Sequence, residues 1–314
     1  MSTPTAAPAL SVVVPVHNEA GNAVPLFIEI RDVLTALGRP FEVLVVNDGS
    51  TDATLEELCA QAAQHPCLRI LDLDGNFGEA AALCAGFHAA RGALIITLDG
   101  DGQNEPHDIP RLLDTLEAGG YRVVTGWRQR RQEEFMPRVL PSQLANRMIA
   151  AVTRIPTHDN GCGLKVYRRD VVADAALPHG LHRFMPAIFG VTAREVAEVP
   201  VHDRRRQHGR SHYGLGRTLV VLRDVLALRL ILGDRQRSEP VALGTGGIAA
   251  AGALSSFLRG HHGLGCVLGI VAALALTIRW NLRRVDRAQR HGVYRLRREI
   301  HHPHAGQTPR RQSA

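Results

Sequence analysis

The chain is poor in residues that cross-link, stack or bind zinc. Its five cysteines, Cys59, Cys67, Cys84, Cys162 and Cys266, form no C-x-x-C pair and are odd in number. That argues against a disulfide scaffold or a zinc site and suits a reducing compartment. Aromatic residues make up only 4%, too few for platforms that stack nucleic-acid bases. Lysine is almost missing: of 37 basic residues only Lys165 is a lysine, so the net charge of +7 is carried by arginine. Such an excess suits an anionic partner: nucleic acid, phospholipid or phosphorylated substrate. No G-x-G-x-x-G follows the first strand and no G-x-x-x-x-G-K-[ST] occurs. A dinucleotide dehydrogenase and a P-loop NTPase are therefore disfavoured. The N-terminus has no positive n-region, and residues 1–9 read as disordered; Leu10–Val16 is too short and β-branched for a signal peptide.

What is present is a hydrophobic content of 45% in 314 residues, enough for one large domain or two smaller ones. Short apolar runs at Leu10–Val16, Phe41–Val46, Leu68–Leu73 and Ala93–Leu98 read as buried strands. Helical spacing fills the gaps at Ala23–Leu37, from Thr51 or Asp52 to Gln64, and at Ala80–Ala90. Alternation at this spacing predicts a parallel sheet with right-handed crossovers. Further strands are expected at Arg122–Thr125 and Val199–Val201, and a helix over Pro141–Arg154.

The most informative stretch is Asp99-Gly100-Asp101-Gly102-Gln103, which ends the fourth strand. Two carboxylates and an amide gather where open α/β sheets bind ligands. Hard divalent cations take such oxygen ligands together with substrate phosphates. His17-Asn18-Glu19 and Asn47-Asp48 also follow strands, so one nucleotide could reach all three groups. Taken alone, a D-x-D is as readily an acidic surface turn.

The ordered series P-V-H-N-E, V-V-N-D-G-S-T-D-A-T, N-F-G, D-G-D-G-Q-N-E-P, T-G-W-R-Q-R-R, D-N-G-C-G-L-K-V-Y-R-R, H-R-F-M-P and R-R-R-Q-H-G-R-S-H-Y-G is far more specific. It resembles family 2 glycosyltransferases of the GT-A fold, and within them the dolichol-phosphate mannosyltransferase-like branch, over about residues 10–229. The resemblance implies a Rossmann-like, mostly parallel sheet flanked by helices at 10–218. It implies metal-dependent, inverting transfer of a sugar from a UDP- or GDP-sugar to a polyprenyl (undecaprenyl or dolichyl) phosphate in the cell envelope. Pro15, His17, Glu19, Asp48, Asp99, Asp101 and Gln103 would bind the nucleotide sugar, and Asp101 and Gln103 would hold Mg²⁺ or Mn²⁺. Arg128, Arg138, Arg204, Arg206, Ser211, His212 and Tyr213 would hold the acceptor phosphate. Asp99, Asp101, Asp159, Arg128 and Arg206 form the catalytic set.

Six positions depart from the pattern: His17 where Tyr is common, Asn47 where Asp is usual, Glu79 after N-F-G, Gln143 where relatives carry Arg, Asp203 in place of His, and His212 in place of Lys. His212 ties the charge of that loop to pH. Cys162 reads as a small buried residue and not a nucleophile.

Leu219–Leu232, within a segment at 219–236, suits an interfacial amphipathic helix, or equally a core helix. Residues 241–258 and 264–280 carry almost no charge and suit a two-helix transmembrane hairpin at 241–280, turning at Arg259–Gly263. The arginines after it place the tail, 281–314, and with it the catalytic domain, on the cytoplasmic side of the inner membrane. A soluble helical hairpin is the alternative. So the expected protein is a membrane-bound hexosyltransferase, possible as a homo-oligomer, with no nucleic-acid partner. Two rivals remain: a family 2 enzyme with another glycan or polymer acceptor, and a non-catalytic nucleotide-binding scaffold.

Overall fold

The computed structural model describes residues 7–129, 149–150, 152–177, 180–204 and 235–302. Arg138, Gln143, Arg206, Ser211, His212, Tyr213 and the segment 219–232 lie outside these.

Strands β1 (Leu10–Val16), β2 (Phe41–Asn47), β3 (Leu68–Leu73), β4 (Leu94–Thr97), β5 (Val123–Arg128), β6 (Lys165–Arg168), β7 (Val196–Val201) and β8 (Leu296–His301) form one sheet in the order β7-β5-β6-β4-β1-β2-β3-β8. The central β4-β1-β2-β3 pairings are parallel. β6 runs antiparallel between β4 and β5. It carries no period signal, since four residues are too few to show one.

Helices α1 (Ala23–Ala36), α2 (Thr54–Ala62) and α4 (Ile109–Ala118) cover one face; α3 (Glu79–Ala89) covers the other. The strands alternate between the two cores. Val12 and Val14 meet α1 and α2 through Phe27, Ile30 and Leu58, while Val13 packs under α3. Each such side chain stabilises the fold by about 1.5–3 kcal/mol. Alanine-rich α3 comes close to the sheet: a Cβ on Gly86 would lie 2.2 Å from Val13 Cγ1.

The C-terminal region differs from the expected basic tail. Helix α5 (Arg235–Leu258) turns at Arg259–His261 into α6 (His262–His291), and the chain then returns to the sheet as β8, antiparallel to β3. The arginines of this stretch suggest a solvated tail, but two of its charges are matched by opposite charges on β3. Arg298 Nε donates to Asp72 Oδ2 at 3.1 Å, and Glu299 accepts from Arg69 Nε at 2.8 Å.

Asp72 also explains Asn47. The two are register partners, and Asn47 Nδ2 donates to Asp72 Oδ1 at 2.8 Å in a buried position. A second carboxylate at 47 would replace that donor with like charge. Asn47→Asp is therefore expected to lower stability by about 1–3 kcal/mol at neutral pH, the cost of an unsatisfied buried polar group. Repulsion raises the folded-state pKa of the new acid, so its penalty is full above that pKa and fades as pH falls below it. Thermal melts at pH 8 and pH 5 check this: a deficit that does not shrink at pH 5 contradicts it.

α5 and α6 are each long and apolar enough to cross a membrane, by length and composition. They pack through small residues: Ala242, Ala249, Ala253, Ala272 and Ala275 are buried, and Gly246 lies against Ala275 and Leu276. Their other faces are apolar and open, with Ile248 77% and Leu258 79% exposed. That arrangement suits lipid-facing helices held together by close backbone approach. The lower part of α6 rests on the catalytic body: Leu282 and Val285 pack with Ile149, Leu181 and Phe184.

Candidate active site

β1, β2, β4 and β5 all point their C-terminal ends to one edge of the sheet. Pro15, His17, Glu19, Asp48, Asp99, Asp101, Gln103 and Arg128 gather there for that reason. After β4 the chain passes so close to β1 that a Cβ on Gly100 would lie 2.5 Å from the Pro15 carbonyl oxygen. Gly102 then turns at φ +74°, a conformation glycine adopts at no steric cost. The loop is held internally: Gln103 N–H donates to Asp101 Oδ1 at 3.1 Å, and Asp99 N–H to Asn104 Oδ1 at 3.0 Å.

Asp99 is the most perturbed acid of the site. Burial, then the charges of Glu79 and Asp101, push its pKa up to about 7 against the pull of Arg128 and Lys165. Among the described residues no group donates a hydrogen bond to its carboxylate. Crowded, poorly matched negative charge on oxygen donors fits a hard divalent cation. Asp101 and Gln103 would hold it, with Asp99 beside them; when bound, it supplies positive charge against a diphosphate.

The nucleotide side is tightly braced. Asp48 accepts from Phe77 N–H at 2.7 Å and Gly78 N–H at 2.8 Å, so it caps the start of α3. His17 Nδ1 donates to the Asp48 carbonyl oxygen at 2.7 Å, and its Nε2 lies 3.1 Å from Asn76 Nδ2. Glu19 accepts from Asn22 at 2.7 Å.

On the other flank, Arg128 and Asp159 form a two-pronged pair. Nε donates to Oδ2 at 2.7 Å and Nη2 to Oδ1 at 3.1 Å, with Asp159 almost wholly buried. Burial would lower the Arg128 pKa, but the bond and charge of Asp159 more than reverse this and raise it. The pair lies beside the Asn160–Gly163 turn, whose Gly163 meets Asp99: a Cβ there would lie 2.2 Å from its carboxylate. Cys162 is no nucleophile, since burial pushes its thiol up to about 12.

Arg204, expected at the acceptor phosphate, is held by two acids. It forks onto Glu29 at 2.6 and 2.8 Å and also pairs with Glu105. Its N–H donates to the Gln103 carbonyl at 2.9 Å, and Asp203 bridges Asn104. The basic loop thus leaves from the edge of the acidic turn. Glu29 and Glu105 gave no signal in the sequence because their partner lies 175 and 99 residues away. The acidity of Glu79 has a partner too, with His182 Nε2 3.5 Å from its Oε2. His182 lies in a short 3₁₀ turn, Leu181–Phe184, and the helical turn Met185–Ile188 follows.

The sequence matches the glycosyl transferase family 2 model over residues 11–175. The chain belongs to glycosyl transferase family 2. It is 37% identical over 249 residues to the dodecaprenyl-phosphate galacturonate synthase of Rhizobium johnstonii, spanning 76% of this chain and 73% of that one. It is also 37% identical over 246 residues to the undecaprenyl-phosphate 4-deoxy-4-formamido-L-arabinose transferase of Pseudomonas aeruginosa, spanning 78% and 71%. Among solved structures it resembles glucosyl-3-phosphoglycerate synthase from Mycobacterium tuberculosis in complex with Mn²⁺ and UDP-glucose. The TM-score is 0.56 at 18% identity, over 72% of this chain and 79% of that one, a likeness of fold. This family 2 glycosyltransferase is an enzyme with a GT-A-like sheet and a C-terminal apolar hairpin.

Proposed function

We propose that this glycosyltransferase moves a sugar from a nucleoside diphosphate sugar to a polyprenyl phosphate at the cytoplasmic face of the inner membrane. One observation carries the reading. The flank of the donor site, Ile149, Leu181 and Phe184, is packed directly on the apolar helix α6. A phosphate at headgroup level would meet the site with its lipid tail beside the hairpin. The names of the two polyprenyl-phosphate relatives support the same acceptor.

An acceptor phosphate oxygen attacks the anomeric carbon, and the bond from that carbon to the diphosphate oxygen breaks, with inversion. The phosphate is already anionic near neutral pH, so no strong base is required. Asp48 and the β1 and β2 ends hold the nucleoside. Arg128 uses two of its five N–H donors on Asp159, leaving the others for the acceptor phosphate. Asp159 aims that guanidinium. The work is positioning and charge stabilisation. Mg²⁺ or Mn²⁺ would serve, as the donor set discriminates neither.

The test is sugar transfer in detergent from a panel of labelled UDP- and GDP-sugars to undecaprenyl phosphate. Organic-phase label from one donor is expected, and it names the sugar. Donor hydrolysis or binding with no lipid-linked label points to a glycan or polymer acceptor instead. No metal-dependent nucleotide binding at all points to a scaffold.

A further inference from the structure

The mechanism above leaves one buried cation unused. Lys165, the single lysine of the chain, lies on β6 opposite Thr97 of β4 and Thr125 of β5, and is only 4% exposed. Among the described residues its hydrogen bonds go to backbone carbonyl oxygens and not to a carboxylate. It donates to the carbonyl oxygen of Cys162 and lies 3.5 Å from that of Asn160. Those carbonyls belong to the turn that connects Asp159 to Gly163. Thr97 Oγ1 fixes the same turn from the other side, donating to the Gly163 carbonyl at 2.7 Å. The turn has two working ends. Asp159 orients Arg128, and Gly163 forms the wall against which the Asp99 carboxylate sits.

A buried ammonium is costly unless it is bonded on several sides. An apolar residue of equal length would fill this space without that cost, as its neighbours Leu164 and Val166 do. The charge at 165 therefore matters to its surroundings. The charges acting on Asp99 are Glu79 and Asp101 against two cations, Arg128 and Lys165, and of these Arg128 is already engaged by Asp159.

We propose that Lys165 is a positioning residue of the donor site. Its ammonium pins the 160–163 turn and is the fixed positive charge that Asp99 faces before a metal-bound diphosphate arrives. It touches neither donor nor acceptor, but acts through Asp99 and through the Asp159–Arg128 pair. The proposal rests on the donor-site reading above.

Because there is one lysine, ¹⁵N-lysine labelling of the full-length protein in detergent yields one backbone amide and one ammonium, both reporting position 165. Mg²⁺ with UDP, and separately with GDP, is titrated in. A saturable shift of these signals is expected with the nucleotide that binds, and it is lost in Asp101→Ala. Signals that stay fixed while calorimetry shows the nucleotide binding overturn the role of Lys165 alone. Binding of neither nucleotide, or equal binding by Asp101→Ala, overturns the donor-site reading and this proposal with it.

Calorimetry on variants gives the second arm. Lys165→Met is expected to weaken Mg²⁺–nucleotide binding at least ten-fold, and Lys165→Arg, which keeps the charge, to recover most of it. Wild-type affinity in a folded Lys165→Met, or equal loss in both variants, rejects the positioning role. Should Lys165→Met not fold, the resonance shifts in the unmodified protein still decide the question.

Discussion

Asp101→Ala is expected to cut sugar transfer about 1000-fold, roughly 4 kcal/mol of transition-state stabilisation at 1.36 kcal/mol per decade, while leaving the fold intact. The size follows from where charge develops. As the anomeric bond breaks, the diphosphate gains negative charge, and a group fixed against that charge acts on the transition state more than on the bound donor. The stability half of the expectation follows from the site of the change. Asp101 stands on a partly exposed turn, and the hydrogen bond it accepts from Gln103 N–H is local. Surface changes of that kind alter stability by about 0.5 kcal/mol or less. Initial rates across a Mn²⁺ series, alongside a melt, check both halves. A variant within ten-fold of wild type at saturating Mn²⁺ removes Asp101 from the metal site.

The second large effect concerns the buried Arg128–Asp159 pair. Arg128→Met leaves the Asp159 carboxylate buried with its strongest partner gone, a loss that costs about 3–5 kcal/mol in comparable pairs. The melting temperature should fall accordingly, and transfer should be lost. Loss of activity there says little by itself, because a destabilised enzyme is inactive for trivial reasons. The double variant Arg128→Met with Asp159→Asn separates the two roles. It removes the stranded charge, so most of the stability should return. Transfer should stay at least 100-fold down, because no guanidinium remains for the acceptor phosphate. A double variant that regains both stability and turnover would show that the pair only builds the fold.

How much of this was legible beforehand varies with the range of the interaction. The strand that ends in Asp99–Gln103 is a local signal, and it stands where periodicity and the two glycines put it. The meeting of His17, Asp48 and Asp99 follows from parallel topology alone, because every such strand delivers its C-terminus to one edge. What stayed hidden depends on distant partners. The substitution at Asn47 is intelligible only once Asp72 is beside it. The acids that hold Arg204, Glu29 and Glu105, come from distant parts of the chain. β8 reads as tail because nothing in L-R-R-E-I-H says that Asp72 and Arg69 wait across the gap. Lys165 was conspicuous in the sequence by its rarity, but its duty becomes visible only with the carbonyls of the 160–163 turn in place.

The return of β8 has a mechanical consequence. The catalytic body is joined to the hairpin at two separated places: Leu282 and Val285 dock beneath Leu181 and Phe184, and residues 296–301 are stitched along β3. A body held at one point can tumble about it in every direction. Held at two, it can only swing about the line that joins them, as a door does. With α5 and α6 embedded in a bilayer, the donor edge would be confined to that one swing above the lipid surface. A lipid-borne phosphate would then reach it by sliding sideways in the plane of the membrane. Search would be two-dimensional, with a single swing left for orientation.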